Sequence, residues 1–436
     1  MITSSSDQTP KDFPKKDRKE TGAKFSSVSI SDLRRTNRHR VLSLIARLGP
    51  VGRLKLCDET GLTGAGISRI SRELIDAGLV VEGIPVEKKG VVGRRQALLD
   101  INPGGAYVIG ATLTANRRSV ALADTTGKII DRCEMDDLDV SQPEEAISAL
   151  ADAADAMIAR SEVDRTRLVG VGVGLAVAVT PDPAQKHIMS STALGWSNVP
   201  IARHFRDRLQ VPVKVEARAT AMLRAELRKS STLANLDVLL VNVGLGVGAA
   251  ACFGGQISSA GSPGFGDVAH LSVSDSDVRC HCGRKGCLNA VGAGVTVIDC
   301  LNGWTQDTRP AFSDLSGALG EAIGRAREGD SAARTAFRDA GRMMGRGIDA
   351  IATIFAPDRI VLSGQTGRQP DYVDGIRDVF YERRAGATPS PAVPEVTIDI
   401  SNASSAEASS RIALEEFVYS RHLDIEKLLA GRAGPG

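Results

Sequence analysis

The segment HLSVSDSDVRCHCGRKGC, residues 270–287, narrows what this chain can fold into more than any other stretch. It holds two histidines and three cysteines, of which His270, Cys280, Cys282 and Cys287 are the candidate metal donors. An imidazole and three thiolates complete a tetrahedral shell with no open position, the donor set of a structural Zn2+ rather than a catalytic metal. Gly283 and Gly286 give the short loop the freedom to turn its sulfurs onto one point. His281 is a substitute ligand on donor chemistry, but ligands flank it on both sides, which makes its approach awkward. Such a site needs reduced thiols. Seven cysteines in 436 residues do not make a disulfide scaffold, so the expected compartment is the cytoplasm. No apolar run reaches membrane-spanning length, and the N-terminal residues are too polar for a secretory signal, so no membrane contact is expected.

The net charge of +2 conceals an uneven distribution. Residues 1–100 carry 19 Lys/Arg against 12 Asp/Glu, a net +7, while the remaining 336 carry 35 against 40, a net −5. A basic front on a mildly acidic body points to nucleic-acid contact by the front alone. Residues 1–30, rich in Ser, Lys and Asp and nearly without apolar side chains, read as a disordered basic tail. From Asn37 the apolar residues Val41, Leu42, Leu44, Ile45 and Leu48 fall at helical spacing and stop at Gly49-Pro50. A second short helix spans 53–59 and closes at Thr60-Gly61. A third starts after Thr63 as N-cap and sets Ile67, Ile70, Leu74 and Ile75 on one stripe, with Ser68, Arg69 and Arg72 opposite. Two strands then flank a loop with Lys88, Lys89, Arg94 and Arg95. The whole predicts a winged helix-turn-helix over 31–102, contacting double-stranded DNA through Thr63, Ser68, Arg69, Arg72 and the Arg94-Arg95 wing. Gly64 and Gly66, at the start of the third helix, offer the bases no side chain. They either let backbone approach DNA closely or mark a module turned to protein contacts.

Beyond Asn102-Pro103 strands and helices alternate to the end of the chain, predicting a two-lobed α/β body over 103–436. AYVIGATLTANRRSVALADTTGKII reads as paired hairpins, RLVGVGVGLAVAVT as a buried strand, and DRIVLSG as a late strand after a long helix. Gly244-Leu245-Gly246-Val247-Gly248 lies between two strands. It reads equally as a phosphate cradle and as a tight hairpin needing positive φ, and no helix follows at once to make a dinucleotide fingerprint.

Three blocks in order give the chain a family resemblance from about residue 33 onward: the winged helix ending in GRR, the strand LLVNVGLGVGAA, and DVAH…CHCGRKGCL. It resembles the ROK transcriptional regulators, of the N-acetylglucosamine/xylose repressor type; LGWSNVP at 194–200 also matches the family. The resemblance implies an actin-like, hexokinase-type (ribonuclease H-like) body with a sugar or sugar derivative in its cleft. It further implies that members with a winged helix are mostly sugar-responsive repressors and those without are mostly sugar kinases. On the matching positions, the family's Asn-Asp pair, which carries the catalytic base, falls on Ala217-Arg218. An arginine cannot take a proton from a hydroxyl at ordinary pH. The phosphate motif Asp-x-Gly-Gly-Thr falls on Thr112-Leu113-Thr114-Ala115-Asn116. With both gone, no phosphoryl transfer is expected. The sugar-site positions read Asp267-Val268-Ala269-His270 and Asn289, and a Pro-Gly pair reads Ala176-Val177.

Ala217, Arg218, Asp267, His270 and Asn289 are therefore the expected effector site. Arg218 would hold an anionic group of a sugar acid or sugar phosphate, or else pair internally with Asp267 or Glu216 and leave the pocket vestigial. A homodimer or homotetramer repressing carbohydrate uptake or catabolism genes from a two-fold operator is the expected whole. The alternatives are a sugar kinase with an appended head and a ligand-independent DNA-binding protein.

Overall fold

The protein, seen as a computed structural model, is described over residues 29–83, 97–114, 117–175, 188–191, 194, 196–230, 232–258, 265–311, 314–385 and 396–432. The expected tail lies almost wholly outside these residues, as do Lys88, Lys89, Arg94, Arg95, Ala115, Asn116, Ala176 and Val177.

The N-terminal head consists of α1 (Ile30–Leu48), β1 (Val51–Gly52), α2 (Arg53–Thr60), α3 (Gly64–Asp76), β2 (Val80–Gly83) and β3 (Leu98–Ile101). Its strands form one antiparallel sheet in the order β1-β3-β2. The first helix begins seven residues before the point where the apolar repeat becomes visible. The Ser29 hydroxyl caps it by accepting from the Asp32 N–H, and Arg34 pairs with Glu73 of α3. A cap and an ion pair thus extend a turn that apolar spacing does not mark. Leu48, the last residue of the predicted stripe, is exposed, and Ile75 is only half-buried. Gly61 ends α2 in the left-handed region at φ 70°, which turns the chain into α3.

The body has two five-stranded sheets. The first, ordered β10-β7-β4-β5-β6, uses β4 (Tyr107–Thr114), β5 (Arg117–Asp124), β6 (Ile129–Glu134), β7 (Leu168–Leu175) and β10 (Val213–Ala217). Between its strands come α4 (Pro143–Arg160), the ribbon of β8 (Ile188–Ser191) and β9 (Trp196–Pro200), and α5 (Ile201–Leu209). The connecting helix α6 (Arg218–Lys229) leads into the second sheet, ordered β13-β12-β11-β14-β15. Its strands are β11 (Val238–Val243), β12 (Val247–Phe253), β13 (Gln256–Ile257), β14 (Arg359–Ser363) and β15 (Thr397–Ile400). It carries α7 (Leu288–Val291), α8 (Gly294–Asn302), α9 (Leu315–Arg327), α10 (Ser331–Phe355) and α11 (Pro370–Ala385). The chain then returns to the first lobe through α12 (Ser405–Ala413), a π turn over Leu414–Val418, and α13 (Ile425–Arg432). The α/β, two-lobed architecture is as the sequence predicts.

The alternate glycines of β7 have a packing role. A Cβ on Gly172 would stand 2.3 Å from the Ser409 carbonyl oxygen, and one on Gly110 of β4 would stand 2.4 Å from the Ser410 nitrogen. Only bare backbone lets α12 lie this close on the sheet.

Head and first lobe share one apolar core. Val41, Leu42, Ile67, Ile70 and Leu74 of the head cluster with Val108, Ala123 and Val169 of the sheet and with Leu414, Val418, Ile425 and Leu428 from the C-terminal end. The buried Arg167 donates to the carbonyls of Ala77 and Gly105, and Arg228 at the end of α6 donates to the Ala46 carbonyl in α1. The Arg228 guanidinium also lies 5.8 Å from the centre of the Tyr419 ring. No helix among the described residues is long and apolar enough to cross a membrane.

Candidate functional site

The exposed face of α3 follows from its amphipathic spacing. Ile67, Ile70 and Leu74 turn inward, leaving Ser68, Arg69 and Arg72 exposed around a shallow depression that Ala65, Glu73 and Asp76 complete. Thr63 caps the helix, its hydroxyl oxygen accepting from the Gly66 N–H at 3.2 Å. The carboxylate of Glu73 is drawn toward α1 by Arg34 and Arg38. Among the described residues Arg69 and Arg72 form no ion pair, so their charge faces solvent. A Cβ on Gly64 would meet nothing within 4 Å, so no internal packing requires a glycine there.

The loop after the short 3-10 turn Phe265–His270 brings His270, Cys280, Cys282 and Cys287 together, their ligand atoms all within 4.8 Å of one another. The Cys282 and Cys287 sulfurs are 3.7 Å apart, and Cys280 Sγ lies 3.5 Å from His270 Nδ1. His281 Nδ1 is also 3.8 Å from Cys280 Sγ, but its ring stands edge-on to His270 and outside the four-residue set. Burial opposes the Cys282 thiolate, yet hydrogen bonds from Arg284 and from the other two thiols bring it to about 7. Burial and the neighbouring sulfurs push Cys287 up to about 12. This donor set can hold a metal ion. The loop also braces the next helix: Leu288 donates its N–H to the Leu271 carbonyl, and Cys287 is the N-cap position of α7.

Asn289, on α7, is buried and accepts from the Val247 N–H at 3.0 Å. That bond settles the character of the glycine turn. The turn joins β11 to β12 as an antiparallel hairpin, as expected, but none of Gly244, Gly246 and Gly248 has the positive φ that this reading required. A Cβ on Gly246 would stand 3.0 Å from Asn289 Oδ1, a tight approach that favours glycine there. The Gly244 and Leu245 carbonyls accept from the first amides of α8, Gly294 and Val295, and Gly244 also accepts from Thr366 Oγ1. The amides at the start of α8, which in a phosphate cradle would face a ligand, are occupied by the turn itself.

On the opposite side of this turn, Gly248 approaches Ala219 of α6; a Cβ there would lie 3.7 Å from the Ala219 methyl. Ala217 closes β10 and Arg218 opens α6, so both stand beside the turn between the two sheets. Arg218 does not pair with Glu216, whose two oxygens take Arg224 at 2.9 Å each. It donates to Ser405 Oγ at 3.1 Å, and its Nε is buried without a partner. Burial first, then repulsion from Arg117 and Arg368, pulls its pKa down to about 10. Asp267 lies in the 3-10 turn that ends at His270. Arg117, Arg368 and Ser405 escape sequence reasoning because they come from three distant points of the chain, and no local pattern links them to Arg218.

The profile of the ROK family matches residues 108–413. The N-acetylglucosamine repressor of Escherichia coli O6:H1 is 25% identical over 349 residues, covering 79% of this chain and 84% of that protein. A ROK family transcriptional regulator, described as a homologue of the E. coli MLC protein, superposes with a TM-score of 0.72 at 21% identity, over 92% of this chain and all of that one. A ROK glucokinase from Streptomyces griseus, solved with glucose and AMPPNP, gives a TM-score of 0.56 at 20% identity over 71% of this chain and 98% of its own. The regulator thus spans head and body alike, whereas the kinase accounts for a smaller share of the chain. With the family profile covering well over half its length, this chain belongs to the ROK family.

Proposed function

We propose that the protein is a winged-helix repressor of carbohydrate genes, with a DNA-binding head over 31–102 and an effector-sensing body over 103–436. The observation that carries this reading is the disposition of α3. Its arginines Arg69 and Arg72 face solvent without carboxylate partners among the described residues, while its apolar stripe belongs to the core shared with the body. Arg69, Arg72 and Ser68 would reach phosphates and base edges in the major groove, with Thr63 fixing the start of the helix and Arg94 and Arg95 acting from the wing. A homodimer or homotetramer would present two heads to a two-fold operator. The name of the E. coli relative supports a sugar-type signal.

One structural Zn2+ in loop 270–287 belongs to the same proposal. Zinc–sulfur bonds of about 2.3 Å and zinc–nitrogen bonds of about 2.0 Å set tetrahedral edges of about 3.8 Å between sulfurs and about 3.6 Å from sulfur to nitrogen. The edges of 3.7 and 3.5 Å fit that shell. Zinc would keep the loop in the shape that holds α7 and, through Asn289, the glycine turn.

The glucokinase fold favours one further reading, a sugar kinase with a head attached. Arg218 argues against it, since a guanidinium offers no base for the hydroxyl proton. The test is selection of genomic fragments by the zinc-loaded protein, then footprinting with wild type and the R69A/R72A double variant. A specific site weakened strongly in the variant, with a salt dependence shallower by about one ion per lost phosphate contact, supports the repressor. Sugar-dependent ATP turnover without any selected site replaces it with the kinase.

A further inference from the structure

We propose that the junction where α6 and α12 meet is an anion site, in which Arg218, with Arg368, Arg117 and the Ser405 hydroxyl around it, takes the carboxylate or phosphate of the small molecule that the body senses. The inference rests on reading the chain as a ligand-responsive repressor and specifies the chemistry of that ligand.

Several interior arginines of this protein are neutralised by carboxylates, whereas Arg167 and Arg228 bond to backbone carbonyls. Arg224 takes Glu216, Arg309 takes Asp299, and Arg384 takes Asp349. Among the described residues no carboxylate lies against Arg218, whose one partner is the neutral Ser405 hydroxyl. Arg368 donates to the Ala403 carbonyl but also leaves a buried Nε unbonded, with Glu226 and Glu407 its nearest negative charges. Glu407 is paired with Lys229, whereas Glu226 accepts only from the neutral Ser401 and Ala403 and so offsets part of the Arg368 charge. Arg117 is half-buried and holds Glu134 only at 3.5 Å.

The backbone adds to the same field. Arg218 is the first residue of α6 and Ser405 the first of α12; the α12 N-terminus is already closed by the Ser404–Glu407 capping box, so the free helix N-terminus here is that of α6. A helix N-terminus carries positive potential and favours an anion; α6 has no acidic residue in its first turn and opens instead on a cation. Like charges gathered this way are unfavourable until an anion joins them, and a carboxylate or phosphate that displaces water can take two guanidinium forks. DNA is not that anion. Arg218 stands almost the full length of α6, about 15 Å, from Arg228, which touches the head.

The experiment uses the full-length, zinc-loaded protein in buffer free of phosphate and carboxylate. Thermal shift and calorimetry are run with inorganic phosphate, glucose 6-phosphate and glucuronate, beside neutral glucose and xylose. At least one anion should bind, with its neutral parent about tenfold weaker or worse. A preference for glucose 6-phosphate over glucuronate identifies a phosphate ligand, and the reverse a sugar acid. R218A should lose about tenfold or more in anion affinity, and R218K should recover part of it. Silence from all three anions at millimolar concentration overturns the site, as does anion binding that R218A leaves unchanged. A melting temperature of unliganded R218L below that of wild type also overturns it, because Arg218 would then be compensated within the fold by more than its bond to Ser405. R69A/R72A separates the two claims: anion binding through Arg218 in a protein that selects no DNA leaves the site standing and removes the repressor. Selected DNA with an anion response indifferent to R218A does the opposite.

Discussion

Replacing Arg218 with leucine should make the unliganded protein more stable. The guanidinium is held in charged form at pH 7 although burial, Arg117 and Arg368 pull its pKa down to about 10. That lies roughly 2.5 pH units below an ordinary arginine, which at about 1.4 kcal/mol per pH unit sets a ceiling of about 3 kcal/mol on the penalty. The side chain is half-buried, so solvent screening reduces this, and the lost bond to Ser405 removes about 1 kcal/mol. A net gain of about 1–2 kcal/mol remains, or about 1–2 °C in melting temperature for a chain of this length. The sign is fixed by linkage. A cation whose folded pKa is depressed destabilises the fold at every pH below that pKa, and the penalty fades only as pH rises through about 10. The advantage of R218L should therefore be flat across the neutral range and shrink in strong base. Differential scanning calorimetry of both proteins in anion-free buffer measures it. A variant less stable than wild type would refute the reasoning, since it would show that Arg218 is compensated within the fold.

Three further outcomes are expected. Stripping the metal, or replacing Cys280 with serine, should take zinc from one per chain to none by mass spectrometry of the metal and lower stability on the order of several kcal/mol; unchanged melting after chelation would remove the proposed role of the loop. Arg228→Gln, at the junction of α6 with the Ala46 carbonyl, should leave both anion and DNA binding within about threefold of wild type while weakening the effect of one on the other. Undiminished coupling in a DNA-binding titration with and without anion would exclude α6 as the route. Gly172→Ala puts a methyl 2.3 Å from the Ser409 carbonyl oxygen and should cost about 3 kcal/mol in denaturant unfolding; a neutral result would mean that α12 moves away from the sheet freely.

What the amino-acid sequence determined by itself is everything that repeats or coordinates over a short span. The α3 stripe of Ile67, Ile70 and Leu74 follows a 3.6-residue period, Thr63 is readable as a cap, and the four metal donors lie within eighteen residues. The β11–β12 hairpin and the loss of a carboxylate at position 218 are equally local. Caps that reinforce a helix without an apolar repeat are less visible, which is why Ser29 and the first turns of α1 go unmarked.

The tertiary structure decided whatever depends on approach between distant segments. Arg117, Arg218, Arg368 and Ser405 are spread over nearly three hundred residues and converge because α6 and α12 both cross between the sheets. The glycine turn is held by Asn289, Thr366 and α8, not by its own φ angles. The C-terminal residues Leu414, Val418 and Ile425 finish the core beneath the head, so head and body form one packed unit. Local periodicity reports which face of an element is apolar. Which partner covers that face, and which charges are left without one, is set by chain topology and packing, and those exist only in the folded state.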